Sequence, residues 1–186
     1  MYEDNPMALV MQKWQERYFG SNSYGRPTIG TIENIQNFNQ EMLFQHKADL
    51  YTKDNLIIVI AGKIQDKQTI QDQISSLFTS LPEKKRIEIP VFPDNHLPAE
   101  KSSFFDKKTE QNHLIITAPG FDGHSDMRYA ANTLATILGG NMSSRLFQNI
   151  REKQGLCYYI KASHYSSQNH GEFVIRAGID KDRFEF

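Results

Sequence analysis

Four of the chain's seven prolines, Pro82, Pro90, Pro93 and Pro98, fall within one short stretch. Proline has no backbone N–H and a fixed φ, so neither a helix nor a central strand can run through prolines at that density. The chain must therefore divide there. This predicts an N-terminal α+β part over residues 1–84, a proline-rich linker over 85–100 and a second α+β part over 101–186. The neighbouring run Glu83-Lys84-Lys85-Arg86 fits a solvated linker.

North of the linker the local signals alternate. Asn5-Pro6 is an N-cap followed by proline in the first turn, and Met7, Val10, Met11, Trp14 and Tyr18 recur at helical spacing until Gly20. A glycine-rich loop follows to Thr31, and Asn39 caps a second helix through about Tyr51. Leu56–Ala61 is a short, wholly apolar run, expected to form a strand buried on both faces. Asp66 caps a third helix with Ile70, Ile74, Leu77, Phe78 and Leu81 on one side.

Beyond the linker, strands are expected near Ser102–Lys107 and Asn112–Ala118. A helix is expected from Ser125 to Leu138, turning Tyr129, Ala130, Leu134, Ile137 and Leu138 inward. A second is expected from Met142 to Lys153, burying Leu146, Phe147 and Ile150 and stopping at Gly155. Two further strands, Leu156–Tyr165 and Gly171–Gly178, are joined by the polar turn Ser166–His170. Paired strands with intervening helices predict an α+β fold, an antiparallel or mixed sheet with helices on one face.

Composition narrows the function. The net charge is −1 and the pI about 6.6, which excludes bulk phosphate neutralisation of nucleic acid. The longest apolar run is far below the ~20 residues of a membrane span, so a soluble protein is expected, with cytoplasm and periplasm both open. Cys157 is the only cysteine, which excludes an internal disulfide and a cysteine-rich zinc module. None of the six histidines pairs with another as His-x-x-Glu-His. His164 and His170 flank a turn, where surface histidines are ordinary. Gly139-Gly140-Asn141-Met142-Ser143-Ser144 lacks the lysine of a phosphate-binding loop. From spacing alone, Arg151 and Lys153 complement the dipole of a helix C-terminus, and Tyr158 packs on the sheet.

The segment Met-Ser-Ser-Arg-Leu-Phe-x-x-Ile-Arg-Glu-Lys-x-Gly-Leu-x-Tyr at 142–158 closely resembles the second-domain signature of pitrilysin/insulinase-type zinc metallopeptidases, the group that includes processing-peptidase-like bacterial enzymes. Met1–Pro6 resembles the segment after that family's zinc-binding helices. Gly25–Thr31 is similar to its glycine-flanked loop, and Tyr51–Gly62 to the strand that follows. The resemblance implies an internal piece of a longer protein: the back half of a zinc-bearing first domain, a linker and the front half of a substrate-contact domain. It implies zinc in the parent protein, held upstream of Met1, with no zinc ligand and no catalytic residue in this chain. It also implies that Arg151 and Tyr158 contact substrate. The implied activity is cleavage of peptides or unfolded protein segments in a closed chamber, by a homo- or heterodimer. A non-catalytic partner subunit and a plain interaction module are the alternatives; nucleic acid is not an expected partner.

Overall fold

A computed structural model describes residues 4–88 and 101–183; residues 89–100 of the expected linker lie outside the described ones. The chain divides into two compact units, Met1–Ile29 with Val91–Phe186, and Gly30–Pro90.

In the first unit, α1 (Pro6–Phe19) starts where the Asn5 side chain accepts the Met7 and Ala8 N–H groups at 3.1 and 3.2 Å. It ends at Gly20, whose φ of 59° suits glycine. The buried Tyr18 and Phe19 close this helix, and Trp14 and Tyr24 pack against them. Three strands follow: β1 (Gln111–Pro119), β2 (Cys157–Ser166) and β3 (Gly171–Asp180). They form an antiparallel sheet ordered β1-β3-β2, so the fold class is α+β. Val174 of the central strand is 1% exposed.

The helix α5 (Met127–Gly139) lies against β2, but not on the face expected. Its buried residues are Ala131, Ala135 and Gly139, whereas Tyr129, Leu134 and Ile137 are exposed. Small residues four apart let the helix backbone approach the sheet, and a Cβ on Gly139 would collide with the Ala162 backbone. Close approach has displaced bulk as the packing principle here. The helix expected from Met142 also differs: residues 141–144 form turns, and the Asn141 side chain accepts the Ser143 N–H at 2.9 Å. That local bond competes with helix initiation. Regular winding over Phe147–Lys153 is π-helical. The expected strand Ser102–Lys107 is not formed; these residues pair with no strand among the described residues, and Phe104 and Phe105 are exposed.

In the second unit, α2 (Ile32–Asn37), α3 (Gln40–Leu50) and α4 (Lys67–Leu77) begin at side-chain caps from Thr31, Asn39 and Asp66. The expected buried strand Leu56–Ala61 is overturned. Leu56, Ile57, Ile58, Val59 and Ile60 are 41, 80, 40, 84 and 47% exposed, and no strand among the described residues pairs with them. The alternation is that of an extended chain half-covered on one side and open on the other. Burial on both faces needs flanking strands, which an apolar run cannot supply for itself. Such an uncharged, proline-free run is an association hazard. Sedimentation velocity on this chain is therefore expected to show concentration-dependent self-association that Val59→Lys reduces; a concentration-independent monomer would refute it.

Candidate functional site

The π-helix Phe147–Lys153 ends at Gly155, where φ is 62°. The Gly155 N–H donates to the Arg151 carbonyl and the Leu156 N–H to the Ile150 carbonyl, both at 3.0 Å. Each bond spans one residue more than in the paired cap of an α-helix, as wider winding requires. Arg151 thus sits in the last turn of a rare winding, one that is frequent at functional sites. Its guanidinium carbon lies 4.6 Å from the centroid of the Phe147 ring, and Nη1 is 3.6 Å from Glu152 Oε1.

Tyr158 occupies a second irregularity. Cys157 pairs with Ile179 and Tyr159 with Gly178, so Tyr158 is the extra residue of a β-bulge and faces no partner. A bulge re-aims a side chain. Tyr158 is 56% exposed beside Cys157 at 8%. The phenol donates to Asp180 Oδ2 at 3.4 Å, and Asp180 Oδ1 accepts the Asp182 N–H at 3.0 Å. Arg183 Nη1 donates to the Gly155 carbonyl at 2.7 Å, tying the end of the chain to the turn. Gly155, Leu156, Cys157, Tyr158, Asp180 and Arg183 line a recess of ≈ 250 Å³.

Arg151 is not among the residues lining that recess. Its charge nevertheless reaches the Cys157 thiol, where it opposes the burial that pushes the thiol upward. Burial prevails, so Cys157 stays a protonated thiol rather than a nucleophile. The segment therefore offers two donors, the Arg151 guanidinium in the last π-helical turn and the Tyr158 phenol at the entry to β2, and only the phenol lines the recess. Asp180 and Arg183 were not legible as parts of it, because strand register alone brings them beside Gly155 and Tyr158.

The two histidines flanking the β2–β3 turn go to separate partners. His164 Nε2 accepts the Phe121 N–H at 3.0 Å. His170 lies among the Tyr18, Phe19 and Tyr24 rings, with Nε2 3.1 Å from Glu172 Oε2. Among the described residues no three His, Cys, Asp or Glu side chains gather as a metal site. The described residues thus do not fit a zinc centre.

Burial holds His164 below the ordinary histidine range, outweighing the opposing pull of the Glu172 carboxylate. Burial lowers His113 likewise. Below about pH 6.5 the unfolded chain therefore binds more protons than the folded one. Stability contributed by these neutral imidazoles is complete above that pH and is lost as pH falls. Thermal melts between pH 7.5 and 5.5 are expected to show a falling Tm, with a shallower fall in the double variant His113→Gln/His164→Gln. An unchanged slope would refute the assignment.

The family described as the peptidase M16 inactive domain matches residues 37–185. The chain is 34% identical over 188 residues to the uncharacterized zinc protease YmxG of Bacillus subtilis (strain 168), covering 100% of this chain and 44% of that protein. A crystal structure of a peptidase M16 inactive domain from Pseudomonas fluorescens superposes with a TM-score of 0.83 at 22% identity, covering 96% of this chain and 43% of that one. A Helicobacter pylori protease gives 0.77 at 17% identity, covering 96% and 44%. The chain thus spans less than half the length of the relatives it matches. No helix among the described residues is long and apolar enough to cross a membrane. On the family match and the similarity to part of YmxG over the whole of this chain together, the chain belongs to the M16 peptidase family, in the region described as its inactive domain.

Proposed function

We propose that this chain is the substrate-contacting part of a zinc-dependent metalloendopeptidase, with Arg151 and Tyr158 binding the peptide. Zinc and its ligands belong to the remainder of the protein in this reading, and the chain alone neither holds the metal nor cleaves. The observation that carries it is the pairing of two backbone irregularities, a π-turn under Arg151 and a bulge under Tyr158. Both present donors that a regular helix and strand would place differently. A guanidinium fork and a phenol suit peptide carbonyls, or the oxyanion that develops when a carbonyl is attacked.

Residues 1–84 then represent the rear of the zinc-bearing domain and residues 101–186 the front of the substrate-contact domain. A homo- or heterodimer closes the chamber around a peptide or an unfolded protein segment. The test is peptide cleavage by the full-length protein carrying Arg151→Ala or Tyr158→Phe, with zinc content measured on the same samples. Selective loss of turnover supports the reading, and normal turnover in both variants overturns it.

A further inference from the structure

On β2 and β3, Lys161 stands directly opposite Arg176, and Arg176 is flanked on its other side by Ile115 of β1. Directly opposed residues share one face of a sheet with Cβ atoms about 5 Å apart, and like charges so placed repel. Nature usually sets an opposite charge beside them. Here neither cation has an ion pair or hydrogen-bond partner among the described residues.

The nearest same-face carboxylates of β3 are Glu172 and Asp180, each four residues from Arg176, or about 13 Å along an extended strand. Both are engaged. Glu172 lies 3.1 Å from His170; Asp180 takes the Tyr158 phenol and the Asp182 N–H. In the adjacent row, Tyr159, Gly178 and His113 face the same way. The Tyr159 ring crosses the space above Gly178, and its hydroxyl meets His113 Nδ1 at 3.1 Å. That pair satisfies itself, leaving the two cations as the unanswered charge on this face.

We propose that Lys161 and Arg176 form a subsite for the carboxylate side chain of an extended peptide. The proposal rests on the peptide-binding reading above, and position favours this source over a free anion. Asp180, which holds the Tyr158 phenol, and Arg176 lie on one face of β3, about 13 Å apart. A peptide strand touching Tyr158 therefore carries a side chain over the cations some four residues further along. A carboxylate has two oxygens, one for each cation, and charge-assisted bonds to it are the strong class. The subsite selects for Glu or Asp at that position of the peptide.

The test uses fluorescence anisotropy with this chain and two short labelled peptides, blocked at both termini and differing only by Glu→Gln. The Glu peptide is expected to bind about tenfold more tightly, a difference that charge-assisted bonding readily supplies. Lys161→Gln/Arg176→Gln should erase the preference without weakening the Gln peptide. The Tm of the double variant should equal or exceed that of the parent chain, since repulsion is removed. Equal binding of both peptides by the parent chain overturns the subsite and leaves the peptide-binding reading intact. A preference that persists in the double variant overturns it as well. So does displacement of the Glu peptide by inorganic phosphate at its own binding concentration, which would mark a general anion site, or a preference restored to the Gln peptide by freeing its C-terminus. Failure to bind either peptide overturns the subsite, while cleavage by the Arg151 and Tyr158 variants judges the broader reading separately.

Discussion

Full-length protein carrying Arg151→Ala is expected to turn over peptide about 10²-fold more slowly, the usual consequence of removing one donor from a developing oxyanion. Tyr158→Phe should behave alike, with zinc content unchanged in both. The competing explanation gives each side chain a purely structural role, and its size can be bounded. Arg151 complements a helix C-terminus, worth well under ~1 kcal/mol for an exposed group. It also sits over the Phe147 ring, worth about 0.5–1 kcal/mol at such a site. Together these shift Tm by a few degrees at most in a chain of this size and leave kcat untouched. Tyr158→Phe removes only a long 3.4 Å bond to Asp180, so its structural cost is smaller still. A fall in kcat with Tm nearly constant assigns the donors to the transition state. A fall in Tm with normal kcat assigns them to the fold.

What could be read from the sequence was local. Asn5, Asn39 and Asp66 cap helices in the structure as their side chains dictate, and Gly20 and Gly155 turn the chain through positive φ. In each case the deciding atoms lie within a few residues of one another. Properties set by distant partners were not legible. The apolarity of Leu56–Ala61 states that the run prefers burial but does not supply the strands that would bury it. Hydrophobic periodicity nominated Leu134 and Ile137 for the packed face of α5, whereas Ala131, Ala135 and Gly139 occupy it, because close backbone approach depends on β2. The bulge under Tyr158 has the same character: no residue within 157–159 encodes it, and it exists as a mismatch of register against β3. The candidate site was accordingly half visible. Arg151 and Tyr158 stand in a recognisable motif, while Asp180, Arg183 and the Lys161–Arg176 pair emerge only once the strands are aligned.

Gly139→Ala separates these two kinds of information most sharply, since they predict opposite signs. Helix propensity favours the substitution: alanine in place of a helical glycine stabilises by up to about 1 kcal/mol. The structure opposes it. The added Cβ would meet the Ala162 backbone N–H, the Ala162 Cβ and the Lys161 carbonyl carbon. These are mostly backbone atoms of a strand already paired with β3, so they cannot rotate aside as a flexible side chain would. Relief requires α5 to lift from the sheet, which also loosens Ala131 and Ala135 along the same stripe. Overpacking of this type costs about 1–3 kcal/mol, which outweighs the propensity gain. At about 2–4 °C per kcal/mol for a chain of this length, Tm should fall by several degrees. Gly139→Ser should fall at least as far, because it adds a hydroxyl to the same obstructed position. An increase in Tm for Gly139→Ala would mean that α5 is not seated on β2, and the close-packed small-residue face would have to be abandoned.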